Sequence, residues 1–216
     1  MKHVVKGLPP DSFEQWQITG DADWKPSFED LQNPQKRQVH ESLVHEQRSV
    51  CCYCGRRISL PDSHIEHFRP QGEWPDLDLD YENMHASCVR ETPPGLPLHC
   101  GHAKGGQFDE ALHISPLDPQ CEQRFEYKLD GGIIASTPSD LPAAYMILLL
   151  KLDIPLLRSY RQQVLIGVFD AQFILSVTEA DLLRLRDGFR QPDSNGNYPN
   201  LGHVVARYAE QLLSSA

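Results

Sequence analysis

Five of the six cysteines fall between Cys51 and Gly106, interleaved with histidines, and that stretch most limits what the chain can become. It opens with Cys51-Cys52-Tyr53-Cys54-Gly55 and runs through His64-Ile65-Glu66-His67-Phe68-Arg69-Pro70 and Tyr81-Glu82-Asn83. It closes with Cys88 and Cys100-Gly101-His102-Ala103-Lys104-Gly105. Cys51-x-x-Cys54 together with Cys88 and Cys100 offers four thiolates to a structural zinc ion, which takes tetrahedral sulfur ligation. Gly55 suits the tight backbone path of such a knuckle. Pro93, Pro94, Gly95 and Pro97 stand between Cys88 and Cys100, so spacing alone makes no second knuckle, and His99, His102 or Cys52 could replace one of the four. The competing reading is a set of packed thiols, since free cysteine behaves as a small hydrophobe. Four cysteines and several histidines in one short polar stretch favour zinc.

A second, harder site can be drawn beside it. Glu66 offers a carboxylate to Mg²⁺ or Mn²⁺, and the adjacent His67 titrates near neutrality and can accept a proton from water. Neighbours on a strand point to opposite faces, so both residues reach one metal only across a bend, for which Pro70 is a nearby cause. Taken alone, Glu66-His67 reads as a solvent-exposed polar pair before it reads as a site.

The Cys-x-x-Cys, the Glu-His-x-x-Pro from Glu66 to Pro70, Asn83, Cys88 and the Cys-x-His-x-Lys-Gly from Cys100 to Gly105 resemble the zinc-stapled branch of the HNH endonucleases. With Lys6-Gly7, Leu31, Glu46-Gln47, Cys52 to Gly55 and His64 to Gln71, the pattern is most similar to the retron-associated and Septu-type HNH subunits of bacterial antiphage systems. The resemblance implies an α+β fold with a ββα-metal (His-Me finger) core and a structural zinc, wrapped by N- and C-terminal helices. It implies His67 as general base, Glu66 and His102 on one catalytic divalent cation, and Asn83 orienting the base or its loop. Lys104 or Arg69 would bind a neighbouring phosphate. It also implies a nucleic-acid substrate, DNA before RNA, and an ATPase subunit as partner, with a retron reverse transcriptase and its noncoding RNA as further candidates. Glu-His replaces the commoner Asp-His, and Gly101 stands where many relatives carry an asparagine.

The formal net charge of −10 argues against a free-standing DNA binder, whose affinity comes from lysine and arginine meeting phosphates. Even residues 51–106 hold five basic against eight acidic side chains, a net of −3. Affinity would then come from bound cations or from a partner carrying the basic surface. The bland alternative is that acidity keeps the protein soluble. The start of the chain lacks a signal-peptide apolar stretch and no run is long enough to span a bilayer, so a cytoplasmic protein is expected, with reduced thiols. No Gly-x-x-x-x-Gly-Lys-Ser/Thr loop occurs, so nucleotide hydrolysis would come from elsewhere.

The organisation expected is an N-terminal wrap and helix over 1–50, a nuclease core over 51–115, and a hairpin with helices over 116–216, all in one unit. A helical turn is expected near 12–17, and an amphipathic helix from Asn33-Pro34 to about Gln47. Arg56 to Leu60 and His64 to Phe68 would pair around Pro61-Asp62-Ser63, and Asp80 would cap a helix from Tyr81 to Ser87. The proline-rich insertion from Val89 to His99 is a candidate substrate or partner loop. Asp130-Gly131-Gly132 predicts a hairpin. Helices follow over about 140–150, 154–175, 179–190 and 201–213, with Leu157, Val164, Val168 and Leu175 as a core stripe. A rival function from another class is a noncatalytic zinc module binding a protein partner; a second rival keeps the chemistry and cuts RNA such as transfer RNA.

Overall fold

Two short antiparallel ribbons occupy the middle of the chain and helices flank them. The computed structural model describes residues 1–89, 91 and 94–215; the candidate loop after Val89 therefore lies partly outside the described residues, at Arg90, Thr92 and Pro93. In chain order come α1 (Asp11–Gln17), α2 (Gln35–Glu46), β1 (Ser63–His67), β2 (Met84–Cys88) and α3 (Gly101–Lys104). Then follow β3 (Phe125–Tyr127), β4 (Ile133–Ala135), α4 (Leu141–Leu149), α5 (Pro155–Val168), α6 (Ala171–Ser176), α7 (Glu179–Gly188) and α8 (Gly202–Ser215). This is a mixed, α+β architecture of helices with two small sheets. Among the described residues no helix is long and apolar enough to cross a membrane.

β1 pairs with β2, in the register Ser63↔Cys88 through His67↔Met84, and not with the segment before it. The hairpin expected around Pro61 fails because Ser59 and Asp62 close a reciprocal capping box over a single 3-10 turn, Leu60–Asp62. Arg57 makes only an isolated bridge, to Val50. The helix expected from Tyr81 to Ser87 also fails. Asp80 does cap as expected, accepting from Glu82 N, but the turn stops at Asn83 and the chain extends into β2. All five residues of β2 are buried, which leaves no polar face for a surface helix.

Polar side chains reaching from α2 and the N-terminal segment hold β2 in place. Gln47 donates from Nε2 to Val50 O and Ala86 O, and its Oε1 accepts from Ala86 N at 2.7 Å. The amide thus stands in for a neighbouring strand. Glu46 accepts from Lys6 Nζ, Gly7 N and Tyr81 Oη, while Lys6 also donates to Met84 O. These contacts give the Lys6-Gly7 and Glu46-Gln47 pairs a structural duty. Gln47→Leu, which strands the Ala86 N–H and the Val50 carbonyl and leaves Ala86 O with Cys52 N alone, is expected to cost about 2–4 kcal/mol in urea unfolding.

The C-terminal half follows the reading closely with one break. β3 and β4 pair around Gly131, which sits at φ +81°, and a Cβ there would lie 2.0 Å from Arg158 O. That position requires glycine on two grounds. The long helix expected over 154–175 divides after Val168, where Asp170 caps α6 by accepting from Phe173 N. Leu175 is consequently 89% exposed and leaves the core stripe, whereas Leu157 and Leu165 are buried. α8 closes the core with Val204, Val205 and Ala209 at full burial.

Candidate functional site

The four cysteines of the CxxC reading converge from three elements. Cys51 and Cys54 come from the turn after α2, Cys88 ends β2, and Cys100 precedes α3; their sulfurs all lie within 4.8 Å of one another. Cys54 Sγ and Cys88 Sγ are 3.5 Å apart, and no disulfide forms. Tetrahedral Zn–S bonds of about 2.3 Å give sulfur separations of roughly 3.8 Å, so the cluster fits zinc. Cys100 takes φ +55° at the residue just before α3. Burial works against ionisation of Cys51, but the surrounding sulfurs outweigh it and hold this thiol well below its ordinary range. His99 is not a member of the four; its Nδ1 lies 3.3 Å from Cys100 Sγ and 3.8 Å from Cys88 Sγ, beside the cluster. Cys52 and Cys121 are buried apolar packing.

Glu66 occupies a closed pocket on the face of β1 toward α3. Its Oε1 accepts from Tyr53 Oη at 3.1 Å and pairs with Lys104 Nζ at 3.0 Å; its Oε2 lies 3.5 Å from His64 Nε2. Burial opposes the charge, but His64 and Lys104 outweigh it and lower the pKa of the carboxyl. Lys104 is 1% exposed, so its ammonium serves the carboxylate and does not stand open to solvent. His102 packs its ring 4.4 Å from that of His64. Arg69, in contrast, has a part-exposed side chain 3.3 Å from Glu110.

His67 looks the other way, as strand alternation requires. Its ring meets Phe28 edge-on at 4.5 Å, and its Nε2 donates to Asp78 O at 2.8 Å. Among the described residues Glu66 and His67 share no hydrogen-bonding partner, and β1 is continuous from Ser63 to its last residue, His67. Burial lowers the His67 pKa and keeps the imidazole neutral. Asn83 is buried and locks the intervening loop: it accepts from Arg69 N and donates to Arg69 O and Leu77 O. It therefore fixes the backbone beside Asp78, on which His67 hangs.

Two histidines escaped the sequence reading. His64 joins Glu66, and the signal was the period of two from His64 to Glu66, which puts both on one face. His85 stands opposite Glu66 in the register and is fully buried, and among the described residues neither ring nitrogen has a hydrogen-bonding partner. Burial pushes its pKa from 6.5 down to about 3. The unfolded chain thus takes up a proton between those values and the folded one does not. Stability from this residue is complete above pH 6.5 and falls by about 1.4 kcal/mol per unit toward pH 3. Urea midpoints measured from pH 7 to 4 should fall in that sense, with fully buried His203 adding to the slope, and His85→Leu should remove the His85 share of it. A cavity of about 290 Å³ lies elsewhere, bordered by Lys2, His3, Glu122, Arg190 and His203, and touches none of these groups.

The chain is similar to a protein of Vibrio cholerae serotype O1 biovar El Tor named "Retron Vc95 putative HNH endonuclease", with 31% identity over 101 residues. The match covers 45% of this chain and 47% of that protein, so the chain spans about half the length of the relative it matches. The similarity supports a relationship to HNH endonucleases at the level of the family. No family model matches the chain.

Proposed function

We infer that this chain is a metal-dependent HNH endonuclease that hydrolyses phosphodiester bonds, built on a ββα-metal core of β1, β2 and α3. The observation that carries the reading is the placement of Glu66 and His67 on β1, with Asn83 ending the turn that leads into β2, beside a four-cysteine cluster, joined to the partial similarity above. Zinc on Cys51, Cys54, Cys88 and Cys100 would brace the core. Glu66 and His102 would hold Mg²⁺ or Mn²⁺, whose charge offsets the negative charge developing on the phosphate. His67 donates its Nε2–H to Asp78 O, which leaves the Nδ1 lone pair to take a proton from the attacking water. Asn83 is a positioning residue acting through the Asp78 loop. Lys104 keeps Glu66 ionised, and Arg69 supplies an accessible guanidinium for a neighbouring phosphate.

The acidic surface favours a role inside a complex. The chain would be the nuclease effector of a bacterial antiphage system of retron or Septu type, with an ATPase subunit, and a reverse transcriptase with its noncoding RNA, as partners. DNA is the favoured substrate, and RNA such as transfer RNA the variant of it. A noncatalytic zinc-binding module is the second reading, favoured by the way Tyr53, His64 and Lys104 occupy the carboxylate of Glu66 as a structural network would. Purified protein, alone and with its genomic neighbour, incubated with Mg²⁺ or Mn²⁺ and single-stranded DNA, duplex DNA or RNA, decides between them. Cleavage leaving 5′-phosphate and 3′-hydroxyl ends supports the nuclease; no cleavage of any substrate in either preparation leaves the zinc module.

A further inference from the structure

Two imidazoles share one carbonyl on the α3 side of Glu66. His64 Nδ1 lies 2.7 Å and His102 Nε2 lies 2.6 Å from Val89 O. A carbonyl only accepts, so each ring donates an N–H to it, and the other nitrogen of each neutral ring carries a lone pair. A metal-binding histidine is held in this way, its second nitrogen donating to a backbone carbonyl that fixes tautomer and ring plane. His64 Nε2 then faces Glu66 Oε2 at 3.5 Å, a pairing made through the N–H of a protonated ring or, where that proton is lost, through a cation held between the two atoms. Two ligands at about 2.1 Å from one ion stand roughly 3.0–3.5 Å apart, which matches.

Gly101 makes this approach possible. A Cβ built there would lie 2.4 Å from Glu66 Oε2 and 2.7 Å from His64 Nε2, so any side chain would strike both. The ligand atoms of His64, Glu66 and His102 do not all lie within 4.8 Å of one another, which makes His102 the outer member of the three. We propose that His64, in place of His102, is the imidazole ligand of the divalent cation, paired with Glu66 across the space that Gly101 leaves open, with His102 backing His64 and water or substrate oxygens completing the shell. This deepens the nuclease reading and rests on it for the cation's catalytic use, but the cation site itself can be measured without catalysis.

The test is calorimetric titration of Mn²⁺ into full-length, zinc-loaded protein, followed by electron paramagnetic resonance of the bound ion. Wild type should bind one Mn²⁺. His64→Ala should weaken that binding at least tenfold and remove the nitrogen coupling from the spectrum, with zinc content unchanged at one per chain. Gly101→Ala should weaken it comparably by displacing both ligands, and it keeps the inference testable if His64→Ala does not fold. Unaltered Mn²⁺ affinity in both variants, or no Mn²⁺ binding by wild type, overturns the proposal. A wild type that cleaves nucleic acid while His64→Ala binds and cleaves equally well removes the ligand and spares the nuclease. A wild type that binds Mn²⁺ through His64 yet cleaves nothing supports the site and removes the nuclease reading instead.

Discussion

His67→Ala is expected to slow phosphodiester cleavage by about two to four orders of magnitude, the range a positioned general base supplies. The ring sits at the margin of the core, 8% exposed, so truncation should leave zinc content and cooperative unfolding in place. A neutral base also predicts the shape of the pH profile. Because burial lowers the His67 pKa, the imidazole stays unprotonated through neutrality, and cleavage should fall only on the acid side, below the ordinary histidine value. Initial rates in Mg²⁺ from pH 5 to 8 for both proteins provide the measurement. A variant as fast as wild type would remove His67 from the chemistry altogether.

Cys54→Ser carries the largest expected effect on stability. Structural zinc contributes on the order of 10 kcal/mol or more to small zinc-folded units, comparable with the whole stability of an ordinary domain. The substitution leaves three sulfurs around a centre that links the turn after α2, β2 and the start of α3, so the middle of the chain loses its common anchor. Metal analysis should show one zinc per chain in the wild type and none in the variant. Thermal unfolding should shift down by well over 10 °C or lose its cooperative transition, at about 2–4 °C per kcal/mol for a chain of this size. A zinc-free wild type with an unchanged melting curve would contradict the assignment and return the cysteines to ordinary packing.

The elements that could be read from the sequence are those specified locally. Asp140 and Thr178 cap α4 and α7 where their side chains can accept from the next turn, and Asp130-Gly131 forms the hairpin its positive φ allows. The cysteine knuckle was legible because sulfur spacing is itself the signal. What escaped was decided by partners distant in sequence. β1 takes β2 as its neighbour, twenty residues on, because Gln47 and Glu46 hold that strand, and nothing between 56 and 68 records this. Likewise, Asp170 ends a helix whose apolar period runs on past it, so periodicity overrode a cap. Around Glu66 the motif indicated the carboxylate, but the closeness of His64 depends on the absence of a side chain at Gly101 in a different element.

The pairing of β1 with β2 also sets a limit on how this part of the chain can change. Asn83 immediately precedes β2 and Cys88 ends it, so loop anchor and cluster cysteine stand at opposite ends of one six-residue span. Side chains alternate along that span, so losing or gaining a single residue would exchange inward for outward positions throughout and disengage one end from its duty. Drift among descendants of this chain should therefore proceed here by replacement at constant length, while insertions and deletions collect in the stretch that follows Val89.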